Sequence, residues 1–112
     1  METDNIKIVQ EKLRDGSLST LQPHEVARYK ALLAGEYSFY ISQLSDIVVR
    51  KPQNWLTLRG KCKSDKQADR VFEGTLDGIN ERGLELKIKQ ITTMQSALSS
   101  ILRLAELEAK SI

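Results

Sequence analysis

Seven residues, Val26, Tyr29, Leu33, Tyr37, Tyr40, Leu44 and Ile47, recur at steps of 3, 4, 4, 3, 4 and 3. An average step close to 3.5 places them on one stripe of an α-helix and on no face of a strand. Sustained over three heptads, the pattern is a coiled-coil-like seam that must lie against another helix. Leu32, Ile41 and Val48 widen it, so about half the girth of this helix is apolar. Pro23 suits a first helical position, where its missing N–H costs nothing, and Glu25 suits the first turn. Lys51–Pro52 predicts the end, because a residue before proline is pushed out of the helical region. The helix is therefore expected over residues 23–51, with Gly35 weakening its middle by ~1 kcal/mol relative to alanine.

A second long helix is predicted from Leu76 or Leu84 to Ala109. Leu84, Ile88, Ile91, Leu98, Ile101 or Leu102, and Ala105 share a face, with Met94 between. Two rods of matched length joined by a modest connection fold back as an antiparallel hairpin. Two short helices complete the expectation. Asn5–Asp15 carries Ile6, Val9 and Leu13 on one face, with Thr3, Asp4 and Asn5 as capping oxygens and Gly16 as a stop. Asp65–Glu73 follows a capping-box spacing at Ser64 and Gln67. Gly74 and Thr75 either break the chain there or are absorbed into one continuous helix. The fold class is all-α: one domain over residues 1–112, with a short N-terminal helix and loop (1–22), a helix (23–51), a basic connection (52–75) and a C-terminal helix (76–110).

Composition narrows the setting. Gly and Pro number only six and two, too few for the many turns of a sandwich or barrel. No apolar run is long enough to span a membrane. METDNIKIVQ does not read as a signal peptide, and a single cysteine forms no internal disulfide, so a cytoplasmic setting is expected.

Sites for chemistry are scarce. His24 is the only histidine and has no cysteine or second histidine near it in sequence, which gives a metal little to bind. Cys62 sits between Lys61 and Lys63 but lacks a paired base. GTLDGINERG has three glycines without the strand or the Gly-Lys-Ser/Thr of a phosphate loop. Asp65, Asp69, Glu73 and Asp77, spaced by four and interleaved with Lys66 and Arg70, read as a salt-laced helix surface. No enzyme, cofactor or metal is expected.

Charge is distributed more tellingly. Residues 50–70 hold seven bases (Arg50, Lys51, Arg59, Lys61, Lys63, Lys66 and Arg70) against Asp65 and Asp69, a local balance of +5 in a chain whose net charge is +2. The band straddles the reversal of the hairpin and includes Trp55, the only tryptophan. Lysine and arginine follow a phosphate backbone while an aromatic ring stacks on bases. Two other readings stay open: a solvated loop with Trp55 plugging the core, and a docking site for an acidic protein. The apolar surplus, with Leu86, Leu104 and Leu107 outside the main stripe, predicts self-association. Tyr37, Tyr40, Leu44, Ile91, Leu98 and Ile101 are the expected subunit contacts, and Phe39 points elsewhere as a further contact residue. The competing expectation is an adaptor or inhibitor that turns the same apolar and basic surfaces toward another protein.

Over residues 23–110 the plan resembles two groups of bacteriophage DNA-metabolism proteins. WLTLRGKCKSDKQAD looks like the DNA-contacting region of recombination mediators, which load a recombinase on single-stranded DNA as a ring. INERGLELKIKQI and the helix after it are similar to their oligomerising half. The second group is the small terminase subunits, ring-forming helical hairpins that recognise packaging DNA; residues 1–22 fall short of their typical N-terminal helix-turn-helix. The resemblance implies a non-enzymatic, oligomeric nucleic-acid-binding protein of recombination or packaging.

Overall fold

The computed structural model describes residues 5–17 and 22–110, and every regular element in them is a helix: α1 (Asn5–Asp15), α2 (Pro23–Arg59), α3 (Asp65–Glu73) and α4 (Leu76–Lys110). The long helices α2 and α4 pair antiparallel, as the hairpin reading requires. The caps expected from Thr3 and Asp4 lie outside the described residues. The chain divides into two units, residues 1–38 with 89–112 and residues 39–88.

The first unit holds most of the buried apolar side chains. Ile6 and Val9 of α1, Val26 and Leu33 of α2, and Ile91, Met94 and Leu98 of α4 are all buried. An 11-residue helix is marginal alone, and α1 persists by laying Ile6 and Val9 into this core. The Lys12 ammonium lies 5.8 Å from the centre of the Tyr29 ring, and Gln95 Nε2 donates to the Lys30 carbonyl at 2.8 Å. Gly16 ends α1 at φ 76°, a left-handed conformation that only glycine adopts without strain.

The second unit contains residues 39–59 of α2, all of α3 and residues 76–88 of α4. Its buried apolar side chains are Ile47, Ala68 and Phe72. Here α2 departs from expectation: it does not stop at Lys51 but continues to Arg59 with Pro52 inside it. The ring removes one backbone donor and crowds the carbonyl of Val48. Pro52 and Val48 are both exposed, so the ring displaces no core side chain. On either side of the proline, cross-helix bonds hold the rod in place. Arg50 and Lys51 bind Asp77 and Glu81, while Asn54 and Trp55 bind Asp77 and Asp69. Four tethers within six residues override a local preference against helix.

The chain does break at Gly74–Thr75. Thr75 Oγ1 accepts from the Gly78 N–H at 3.1 Å, a fresh cap that starts α4 at Leu76. Gly78 and Gly83 therefore lie inside α4. At Gly78 a side chain would collide with the Phe72 carbonyl oxygen and approach Glu73 Cα at 2.8 Å, so the α3–α4 corner closes only over glycine.

Candidate nucleic-acid interface

The basic stretch is an ordered turn leading into α3. Successive amides of Gly60, Lys61 and Cys62 donate to the carbonyls of Leu56, Leu58 and Arg59 at 2.9–3.2 Å, so α2 unwinds tightly. The Arg59 guanidinium staples the turn, donating through Nε to Asp65 Oδ1 at 2.5 Å and through Nη1 to the Cys62 carbonyl at 2.9 Å. Ser64 Oγ caps α3 by accepting from the Gln67 N–H at 3.2 Å. Gln67 Oε1 reaches back to the Lys63 N–H at 2.7 Å, one residue before the reciprocal partner of an ideal capping box.

Docking sets which face of α3 looks outward. Ala68 and Phe72 point inward, and Trp55 Nε1 donates to Asp69 Oδ1 at 2.7 Å. The Lys51 ammonium sits 5.1 Å from the Phe72 ring centre. Lys66 and Arg70, four apart and so neighbours on one helix face, lie on the opposite side and are exposed. Lys61 and Lys63 are exposed in the turn that leads to them.

The seven predicted cations therefore separate into two sets. Arg50 donates bidentately to Asp77, from Nε to Oδ2 at 2.7 Å and from Nη2 to Oδ1 at 2.8 Å. That hydrogen bond pulls the Asp77 carboxyl below its usual range and lifts the Arg50 guanidinium above its own, against the opposing effect of desolvation. Lys51 binds Glu81 at 2.9 Å and Arg59 binds Asp65. These three are paired within the chain while their side chains stay partly exposed. Lys61, Lys63, Lys66 and Arg70 are exposed and carry no ion pair among the described residues. Both acids within the segment are already engaged, Asp65 by Arg59 and Asp69 by the Trp55 N–H. Glu73, exposed at the end of α3, bounds the patch.

Trp55 is half-buried, gives its N–H to Asp69, and lines a cleft of about 280 Å³ whose walls carry Lys51 and Arg82 as well as Glu73, Glu81 and Glu85. Asp77, expected on one face with Asp65, Asp69 and Glu73, is carried onto α4 by the Gly74–Thr75 break.

The expected subunit contacts also separate. Ile91 and Leu98 are fully buried in the chain's own first unit, which leaves them no surface for a second copy. Tyr40, Leu44 and Ile101 are half-buried, and Tyr37 is exposed. Phe39 is exposed with its ring centre 5.7 Å from that of Tyr40. His24 is exposed and Cys62 half-buried. No group of three or more metal-ligating side chains occurs among the described residues, and none of their helices is long and apolar enough to cross a membrane. Asp77 and Glu81 are the ion-pair partners that sequence reasoning missed. Their signal was a four-residue spacing on α4 opposite the adjacent Arg50–Lys51 once the hairpin is antiparallel. Comparison with protein-family models, curated proteins and solved structures finds no match.

Proposed function

We propose that the chain is a non-enzymatic accessory protein that holds nucleic acid by its phosphates through Lys61, Lys63, Lys66 and Arg70. One observation carries this reading: four cations without an ion pair stand on a capped, docked turn–helix platform, and both acids within the segment, Asp65 and Asp69, already accept hydrogen bonds. Preorganised cations lose less conformational freedom on binding than the same residues in a loose loop. The resemblance of WLTLRGKCKSDKQAD to the DNA-contacting region of phage recombination mediators supports single-stranded DNA as the ligand, in the cytoplasm of a host cell. Contacts are to the backbone, so binding is expected to be indifferent to sequence.

The test is titration of a labelled oligonucleotide, single-stranded and duplex, with the chain and with a variant in which all four cations become glutamine. Saturable binding that the variant loses, with its helical circular dichroism unchanged, supports the proposal. Failure to bind either oligonucleotide overturns it and favours a protein-binding module.

A further inference from the structure

The second unit has three buried apolar side chains and nine large apolar ones exposed: Phe39, Ile41, Val48, Val49, Leu56, Val71, Leu76, Ile79 and Leu86. Five of the nine lie on α2, and four of these share one side of it. Along α2, Ile41, Ser45, Val48, Val49, Pro52 and Leu56 follow one another at steps of 4, 3, 1, 3 and 4, and all six are exposed. From Ile41 to Leu56 their side of the helix carries no charge, and Arg59, the next residue along it, is paired with Asp65. Between Phe39 and Leu58 the only ionisable side chains of α2 besides Tyr40 are Asp46, Arg50 and Lys51. Arg50 and Lys51 reach across to Asp77 and Glu81 on α4, and Asp46 lines the α2–α4 cleft beside Arg50. An outward helix face on a soluble domain is ordinarily its most charged side. Here Arg50 and Lys51 are drawn toward α4 while still half exposed, and the stretch from Ile41 to Leu56 is bare of charge.

We infer that this face of α2 is the contact between two copies of the chain. Charge selects the occupant. A foreign partner recognised electrostatically would find nothing here to pair with. A second copy meeting the first across a two-fold axis brings an equally uncharged surface, with no like charges opposed. Stoichiometry points the same way. A unit with so small a core needs its cover whenever it is folded, and the partner always present in equal amount is the chain itself. Serines at 42 and 45 between the larger side chains let two helices approach closely enough for Ile41, Val48 and Leu56 to interdigitate. This contact differs from the one expected at Tyr40, Ile91 and Leu98, and it stands whether or not nucleic acid is the ligand.

The experiment is the mass of the full chain in solution by light scattering, without nucleic acid, together with its melting temperature at several protein concentrations. Twice the 12.7 kDa chain mass is expected, with a melting temperature that rises with concentration. Raising salt from about 50 to 200 mM, which weakens phosphate binding steeply, leaves that mass unchanged. The double variant Ile41→Glu with Val48→Glu opposes like charges and should raise the dissociation constant at least roughly 100-fold. Ser45→Lys removes no apolar contact from the single chain and should do the same, so a folding defect cannot imitate the result. Leu86→Glu, exposed on α4, should leave the doubled mass intact. A single-chain mass with a concentration-independent melting temperature overturns the inference. So does a doubled mass that survives both α2 variants, or one that Leu86→Glu dissolves equally well.

Discussion

Replacing Arg70 by glutamine should lower the salt dependence of nucleic-acid binding, while replacing Arg50 should not. The difference follows from pairing: the Arg50 guanidinium is held by both oxygens of Asp77, whereas Arg70 stands exposed on the outer side of α3. Each cation that neutralises a phosphate releases counterions, so the logarithm of affinity falls linearly with that of salt. Four contacts give a slope of about −2.8 on single strands and about −3.6 on duplex. Between about 50 and 200 mM salt those slopes correspond to roughly 50-fold and 150-fold weakening. Losing one contact takes the single-strand slope to about −2.1, or roughly 18-fold over the same range. Arg50→Gln removes no phosphate contact, so the slope should hold even if the affinity changes through a looser α2–α4 contact. Fluorescence anisotropy of a labelled oligonucleotide, titrated at four or five salt concentrations, measures all three lines. A wild-type slope near zero would refute the phosphate reading. Equal losses of slope in the two variants would refute the division of the cations into paired and free.

Phe72→Ala should cost about 3–5 kcal/mol in urea unfolding, because it removes the largest of the three buried side chains of its unit; a loss under ~1 kcal/mol would mean that α3 is not docked as described. Gly78→Ala gains up to ~1 kcal/mol of helix propensity, yet the added carbon meets backbone at the α3–α4 corner, an overpacking of about 1–3 kcal/mol. The net change should be a lower melting temperature, and a higher one would refute the close approach. Asp77→Asn should destabilise the chain at neutral pH and progressively less in acid. The native Asp77 carboxyl is depressed by Arg50, so its stabilisation is complete above the unfolded value of about 4 and is lost as pH falls through the lower folded value. Melting curves of the two proteins should converge below that range and stay apart above it.

What the sequence announced correctly was local. Ser64 with Gln67, and Gly16, are cap and stop signals that the structure uses, and of the two readings left open at Gly74–Thr75 it takes the break. The apolar seam was legible for the same reason, since a helix period constrains Val26, Leu33 and Ile47 together; Tyr37 lies at the seam's edge and emerges into solvent. The errors came from partners distant in the chain. Pro52 stops a helix when nothing else holds it, but its neighbours bind residues 14 to 30 positions away. Those same bonds pair Arg50 and Lys51 within the chain. Sequence counts charges but does not say which are already matched, and the candidate site shrank from seven cations to four on that account.

The second unit's polar clamps also bear on why its α2 face is bare. Three ion pairs and a tryptophan–aspartate bond tie α2, α3 and α4 together, yet the side chains involved are partly open to water, with Arg50 and Lys51 about half exposed. Pairs of that kind contribute little to stability individually, because water already satisfies the separated charges. They fix register rather than replace a core. Burial has to come from somewhere, and Ile41, Val48, Val49 and Leu56 are exposed apolar groups on one side of α2 that can provide it. Their uncharged surroundings make a second α2 the surface on which they can be buried without stranding a charge. If the chain proves to be a monomer that melts at the same temperature at every concentration, then a unit this thinly packed is stable on clamps and three buried side chains alone. Surface pairing would then outweigh burial in it, and the bare face of α2 would need no cover.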